Sequence, residues 1–230
     1  RRLGATVHLQ APASGIEVSG GRVVAVNTGA ERIETPIAVV ATGPWSRHFL
    51  LGHDIDLPLE STRHEVVHFK RSLDALPNHP GGADITNRVY FRPEGTDQTL
   101  VGNGNIEEVI GDPEIFAQRA SQGFIQEVWS RIARRIPALA EAEFSSGYAG
   151  LYTSTPDSHP IIDKVDGIEG MYICTGFSGH GFKLSPMVGV LMAELILEGQ
   201  ATTIDIHTLR MSRFRDGDLN LPSYGFRVLV

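Results

Sequence analysis

The sequence predicts a mixed α/β (α+β) fold, and three features carry that reading. Short runs rich in Val, Ile and Thr, bounded by Gly, Ser, Asn or Pro, open the chain as strands joined by tight turns. The run Ile37-Ala38-Val39-Val40-Ala41 is apolar without alternation, the pattern of a central parallel strand covered on both faces. Beyond it, half-buried alternating runs and two helical stretches indicate antiparallel pairing and helix cover in the same chain.

Taken in order, strands are expected at Ala5–Gln10, Gly15–Val18 and Arg22–Asn27, with Gly20-Gly21 as a hairpin turn. The strand within 36–42 runs into Thr42-Gly43-Pro44-Trp45-Ser46, where Gly permits a sharp turn and Pro suits the start of a helix over 45–51. Such a strand end is a plausible ligand-facing position. From Leu57 the texture changes: 65–70, 88–92 and 99–102 read as antiparallel strands, and Asn103-Gly104-Asn105 as a turn. Asp112-Pro113 has the form of an N-cap followed by a first helical residue. Ile125, Val128, Trp129, Ile132 and Ile136 keep helical spacing and predict a second helix over 121–135, stopped by Pro137. Its Arg131, Arg134 and Arg135 read as a solvated face near a helix C-terminus. A strand at 146–153 leads through Thr155-Pro156-Asp157 and Pro160-Ile161-Ile162-Asp163 to a turn at Asp166-Gly167, and a buried strand at 171–175 follows, then a helix over 184–197 with Gly199 as its stop.

The 230 residues, 41% of them hydrophobic, are enough for one large domain or two small ones. A net charge of -7, from 20 Lys+Arg against 27 Asp+Glu, with no basic run, argues against nucleic acid or an anionic membrane as partner. No apolar stretch reaches the roughly 18 to 20 residues needed to span a bilayer. The single cysteine, Cys174, cannot close an internal disulfide, and no Cys/His spacing suits zinc; a reducing, cytoplasmic setting without a structural metal is expected. The carboxylates Asp157 and Asp163 sit beside turn-forming residues, where capping is the simplest role.

The turn Gly176-Phe177-Ser178-Gly179-His180-Gly181-Phe182-Lys183 joins an apolar strand to a helix. Glycines let backbone approach a ligand, and the helix N-terminus beyond offers unpaired N–H groups and partial positive charge. An anion is the natural ligand, either a phosphate or a delocalised anion such as reduced flavin. The turn fits neither G-x-x-x-x-G-K-[ST] nor G-x-G-x-x-G, and a purely structural glycine-rich connection is the alternative.

Gly150-Leu151-Tyr152-Thr153-Ser154-Thr155-Pro156-Asp157, then His159-Pro160-Ile161-Ile162-Asp163, then Gly176 to Lys183, resemble the C-terminal part of the flavin-dependent amine oxidoreductases. This is the family of sarcosine oxidase, glycine oxidase and D-amino acid oxidase, and the sarcosine oxidase branch is the nearest match. Val39 to Ser46 looks like the family's second flavin-contacting strand end, and Leu209 to Phe214 is similar to its tail. The family's N-terminal βαβ unit, with G-x-G-x-x-G and an acidic residue for the ADP half of FAD, has no match. The chain reads as beginning about one-third of the way into the family. A truncated product is one explanation, and a partner chain that supplies the missing unit is the other.

The resemblance implies a partial FAD-binding, Rossmann-like domain lacking its N-terminal βαβ unit, with an inserted antiparallel-sheet substrate domain. Residues 1–57 and 146–230 would form the FAD-domain parts and 58–145 the substrate domain. It implies non-covalent FAD, because the region where some members carry a flavin-linked cysteine reads Tyr148-Ala149-Gly150-Leu151. Lys183 would pair with the carboxylate of a small amino acid or N-methyl amino acid; a solvent-reaching first-turn lysine is the alternative. His180 would lie against the flavin or assist proton movement, and Tyr152 would face substrate, unless each is simply packed in place. Gly176, Phe177, Ser178, Gly179, Gly181 and Phe182 would shape the loop, with core packing as the other reading of the two aromatics. Thr42, Gly43 and Trp45 would contact the pyrophosphate and ribityl side, with ordinary helix packing as the other reading of Trp45, and Ala13 would contact the adenine. The stretch Gln98 to Gly102 lacks the lysine that speeds reaction with oxygen in the oxidases, so oxidase and dehydrogenase both remain open. A non-catalytic subunit is the second functional reading, and a missing unit implies an uncovered sheet edge and a tendency to associate, with itself or with a partner chain.

Overall fold

The computed structural model describes residues 2–104 and 108–221. Its strands are β1 (Ala13–Ser19), β2 (Arg22–Thr28), β3 (Arg32–Glu34), β4 (Ala38–Val40), β5 (Glu60–Lys70), β6 (Gly82–Asp84), β7 (Val89–Glu94), β8 (Gln98–Gly102), β9 (Val109–Ile110), β10 (Glu143–Ser154), β11 (Ile161–Lys164) and β12 (Met171–Thr175). The α-helices are α1 (Ser46–Leu51), α2 (Gln122–Arg135), α3 (Gly181–Glu198) and α4 (Arg213–Asp216). The chain divides into two compact units: residues up to 59 with 159–177 and 181–220, and residues 60–158 with 178–180.

In the first unit, β1, β2 and β3 form an antiparallel meander. Gly20 and Gly21 turn the β1–β2 hairpin with φ of +59° and +76°, the positive pair that a two-residue hairpin turn requires. A second sheet has the order β11-β12-β4, with β4 running parallel to β12 through Ala38↔Met171 and Ile173↔Val40. Val40, Leu50, Leu59, Ile161, Met171 and Ile173 are the buried heart of this unit. The wholly buried Arg213 ties down the tail, donating to the carbonyls of Leu209, Arg210 and His159, with its guanidinium 4.1 Å over the Phe214 ring.

In the second unit the sheet order is β10-β5-β8-β7-β6, all antiparallel, with β9 also on β5. Strand alternation sends Val67, Phe69, Val89, Phe91 and Val101 to one face, where Phe124, Ile125, Val128 and Ile132 of α2 cover them. Ser121 caps α2, its hydroxyl accepting the Phe124 N–H at 3.2 Å. Arg131 pairs with Glu127 one turn away on the outer side of the helix.

Several expectations need correction. Ala5–Gln10 forms no strand: Val7 and Leu9 are exposed, and a strand without a partner has no ladder to hold it. Strand β4 is parallel but lies at the edge of its sheet, with Ile37 and Val39 each 41% exposed, so only one face is covered. Asp112-Pro113 opens a turn and not a helix; Asp112 accepts the Glu114 N–H with its carboxylate and the Ile115 N–H with its carbonyl. Helix α3 starts at Gly181 and not Leu184, which puts the end of the glycine-rich turn inside its first turn. The chain returns to the first unit at 159 and not 146, because β10 pairs along its length with β5. Asn105, the last residue of the expected 103–105 turn, lies outside the described residues.

Candidate active site

The first unit brings two of the expected segments together at the carboxyl ends of parallel strands. Beyond β4 the chain makes a 3-10 turn over Gly43–Trp45, with Gly43 at φ +51°, and enters α1. The Thr42 and Ser46 hydroxyls are 3.1 Å apart, and the buried Ser46 hydroxyl lies 2.7 Å from that of Thr175 at the end of β12. This hydroxyl chain holds Thr42 and Gly43 next to Thr175-Gly176, at the outer ends of paired parallel strands, where α/β sheets bind ligands. Trp45 is 46% exposed, and Ala13 stands exposed at the start of β1.

From Gly176 the backbone takes φ of +74°, then +50° at Ser178 and +87° at Gly179. Ser178, 1% exposed, is held by its N–H to the Thr153 carbonyl at 2.9 Å and by its hydroxyl, which accepts the Thr155 N–H at 3.3 Å. A Cβ on Gly179 would lie 2.5 Å from Cε2 of Tyr152, so glycine here lets the tyrosine ring stand against the backbone. A Cβ on Gly181 would meet the Phe177 ring at 3.0 Å. His180 is half-buried, whereas Phe182, at 96% exposure, and Lys183 project from the first turn of α3. Phe182 is therefore not a core residue.

The second unit contains a constellation that the sequence reading missed. Opposite its α2-covered face, the sheet presents Thr62, His64, Val66 and His68 from β5, Ser146, Tyr148, Gly150, Tyr152 and Ser154 from β10, Gly102 from β8 and Tyr90 from β7. The His64 and Tyr152 rings stack at 3.8 Å between centroids and 22° between planes. Tyr90 reaches across β8; a Cβ on Gly102 would collide with the Tyr90 phenol, so glycine at 102 opens that path. His64 is 4% exposed, its Nε2 is 2.9 Å from the Thr62 hydroxyl, and its Nδ1 is buried without a hydrogen-bond partner. A proton on Nε2, donated to Thr62, leaves only a lone pair on Nδ1; the opposite tautomer would bury an N–H with no acceptor, the costlier error. The Thr62 hydroxyl is then free to donate to Ser154, 3.2 Å away. Burial pushes the His64 imidazole down to about 4 and also raises the Tyr90 phenol, which the neighbouring Tyr152 raises further. The detectable signal was alternation: Thr62, His64 and His68 interleave with Arg63, Val67 and Phe69, so one face of a buried strand is polar.

Burial pushes the half-buried Cys174 thiol up to about 11, away from reactivity. Asp163 ties backbone together, accepting N–H groups from Lys164 and Met211, and Asp157 accepts from the Thr155 hydroxyl. Among the described residues no group of three His, Cys, Asp or Glu is placed to hold a metal, and no helix is long and apolar enough to cross a membrane.

The sequence profile of the FAD dependent oxidoreductase family, DAO, matches residues 1–195. The chain belongs to this family. Within the DAO family it is sarcosine/glycine oxidase-like. It is 33% identical over 199 residues to FAD-dependent oxidoreductase domain-containing protein 1 of Bos taurus, covering 81% of this chain and 40% of that protein. It is 28% identical over 209 residues to the peroxisomal sarcosine oxidase of Homo sapiens, covering 86% and 53%. Among solved structures, L-proline dehydrogenase from P. horikoshii superposes with a TM-score of 0.84 at 27% identity, over 95% of this chain and 57% of that one. Glycine oxidase from Bacillus cereus gives 0.73 at 27% identity, over 90% and 54%. The chain spans about half the length of these DAO relatives.

The donor set of this chain fits part of FAD. The positive-φ glycines at 43 and 176 leave the ends of β4 and β12 without side chains in the way, and α3 presents first-turn amides that have no acceptor within the helix. Lys183 adds a cation in that same turn.

Proposed function

We propose that the chain is the flavin-ring and substrate part of an FAD-dependent enzyme that oxidises the C–N bond of a small amino acid or N-methyl amino acid. The observation that carries it is the hydroxyl-tied pairing of Thr42-Gly43 with Thr175-Gly176, which sets two strand ends and a glycine-rich turn at one place in a DAO-family chain. The first unit is then a partial FAD-binding, Rossmann-like domain without its N-terminal βαβ unit, and the second the substrate domain. FAD, when bound, supplies the acceptor for a hydride equivalent from the substrate α-carbon. Thr42, Gly43, Trp45 and Ala13 serve its phosphate, ribityl and adenine parts; Gly176 to Phe182 shape the turn and present backbone N–H groups to negative charge on the ring. Lys183 pairs with the substrate carboxylate and orients the α-carbon, while Tyr152, stacked on His64, lines the substrate face. His180 assists proton movement from the same turn.

The visible spectrum of the 230-residue protein, taken after addition of FAD and removal of the excess, tests this. The expected result is a retained flavin band that bleaches anaerobically with a primary or N-methyl amino acid. A retained band that no amino acid bleaches overturns the catalytic assignment. A second reading, in which FAD is held only with a partner segment, is favoured by Val39 standing exposed on edge strand β4, with exposed Ile37 just before it. Loss of the band on removing excess FAD is its expected result, and a retained band overturns it.

A further inference from the structure

On the polar face of the second unit's sheet, His64, Thr62 and Ser154 form a relay whose hydrogen-bond directions follow one from another. The buried His64 Nδ1 has no partner, so the ring proton sits on Nε2 and is donated to the Thr62 hydroxyl, 2.9 Å away. Thr62 is itself buried, and having accepted from His64 its hydroxyl must donate elsewhere; the Ser154 hydroxyl stands 3.2 Å away. The Ser154 oxygen is therefore an acceptor towards Thr62, and its own hydrogen is turned away from that bond. Among the described residues the Ser154 hydroxyl makes no second hydrogen bond, so that hydrogen is left to donate.

The backbone around this donor is fixed as well. The Thr153 carbonyl accepts the Ser178 N–H at 2.9 Å and the Thr155 N–H is donated to the Ser178 hydroxyl at 3.3 Å, so the glycine-rich turn clamps the strand on both sides of residue 154. Alternation along β10 puts Ser154 on the face of Tyr152, whose ring stands against Gly179 of the same turn. Ser154 is half-buried, at the end of the relay that borders the turn. The relay brings no charge, since His64 stays neutral above its depressed titration. Its product is a single neutral O–H donor whose direction is set before any ligand arrives, and a group ordered in advance loses less freedom on binding.

We propose that Ser154 is a ligand-binding residue whose hydroxyl, aimed by the positioning residues His64 and Thr62, donates a hydrogen bond to an acceptor oxygen of the bound ligand. The inference rests on the amino-acid oxidation reading and deepens it. Two oxygens have this chemistry, a carboxylate oxygen of the amino acid and a ring carbonyl oxygen of FAD. The ammonium group of the amino acid does not, because it carries no lone pair to accept with.

The test uses the FAD-loaded protein with Ser154→Ala, Ser154→Thr, Thr62→Val and the double variant Ser154→Ala/Thr62→Val. Two affinities are measured without turnover: that of acetate and propionate, from their perturbation of the flavin band, and that of FAD, by titration of the flavin-free protein. Melting temperature is followed in parallel, so that affinities are read on folded protein. Ser154→Ala should weaken whichever ligand supplies the oxygen by roughly 10-fold, the scale of one lost hydrogen bond to a polar or charged acceptor. Ser154→Thr, which restores a hydroxyl, should recover most of that loss. Thr62→Val leaves the Ser154 hydroxyl in place without its orienting donor and should cost roughly threefold, while the double variant should lose no more than Ser154→Ala, because the orientation then has nothing to act on. Weaker carboxylate binding with unchanged FAD affinity identifies the substrate oxygen, and weaker FAD binding with unchanged carboxylate affinity identifies the flavin oxygen; both uphold the donor role. Unchanged affinity for both ligands in Ser154→Ala, or single-variant losses that simply add in the double variant, overturn it. A wild-type protein that holds FAD but oxidises no amino acid overturns the enzyme reading instead, and FAD affinity still tests Ser154.

Discussion

The glycine-rich turn of residues 176–183 and the polar sheet face around His64 are both built from glycines and aromatics, yet they hold position by different means. In the turn, positive φ at Gly176, Ser178 and Gly179 fixes the backbone, and side chains such as Phe182 and Lys183 project outward from it. On the sheet face the backbone is ordinary extended strand, and the order resides in side chains: a His64–Tyr152 stack, a Tyr90 ring laid over Gly102 and a Thr62–Ser154 hydroxyl pair. A site carried by backbone shape tolerates side-chain change if the dihedral angles survive. One carried by side-chain stacking does not, and its glycines matter as spaces.

The strongest way to break this contrast is at the one turn residue whose side chain is assigned a charge role. Lys183→Met in the FAD-loaded enzyme should lower kcat/KM for carboxylate-bearing amines by about hundredfold, the scale of removing one member of a charge pair. Steady-state kinetics with matched amines that lack the carboxylate should show little change; equal losses for both kinds of amine would remove Lys183 from carboxylate binding. Next comes His64. Its imidazole titrates near 4 in the folded protein against an ordinary 6.5, so between those values the unfolded chain holds more protons. Stability is fully present above about 6.5 and is lost as pH falls towards 4, by up to about 3 kcal/mol. Denaturant unfolding at stepped pH should show this fall, and His64→Phe, which keeps a ring against Tyr152, should lose that part of the slope.

The turn was legible in the sequence because its chemistry is contiguous: glycines, a helix start and a lysine within eight residues read as one object. Strand identities were legible for the same reason, and β2, β12 and α2 fall close to their expected spans. The His64 constellation was not legible, because it is a property of register. Tyr90, His64 and Tyr152 come from three strands, and only the pairings Tyr90↔Gly102, Val66↔Gly102 and His64↔Gly150 bring them to one face. Segments with local signals but nothing to pair with misled the reading. Ala5–Gln10 has strand composition without a neighbour, and Asp112-Pro113 has a capping sequence without an apolar face to bury.

A sharper test of the space-holding role is Gly102→Ala. The new methyl meets the far end of a flexible tyrosine, so the ring should swing aside from its buried place over residue 102, at a cost of about 2 kcal/mol. Ultraviolet titration would register the move, because a phenol released from burial ionises closer to its ordinary range. A variant as stable as wild type with an unmoved Tyr90 titration would show that glycine 102 is not what admits the ring.

The smallest effect separates the two kinds of order within one residue. Ser178 combines a backbone angle of +50°, costly for a residue with a Cβ, and a buried hydroxyl that accepts the Thr155 N–H. Ser178→Ala keeps the strain and deletes that bond, and should cost about 1 kcal/mol in denaturant unfolding. Ser178→Gly deletes the same bond and also removes the strain, worth about 1 to 2 kcal/mol, against the added chain entropy of glycine. The glycine variant should therefore come out near wild-type stability and above the alanine variant. If backbone shape is what the turn contributes, it should also keep the wild-type flavin spectrum. The reverse order, with alanine the more stable, would make the Ser178 hydroxyl a minor contact and place the turn's rigidity in its flanking glycines.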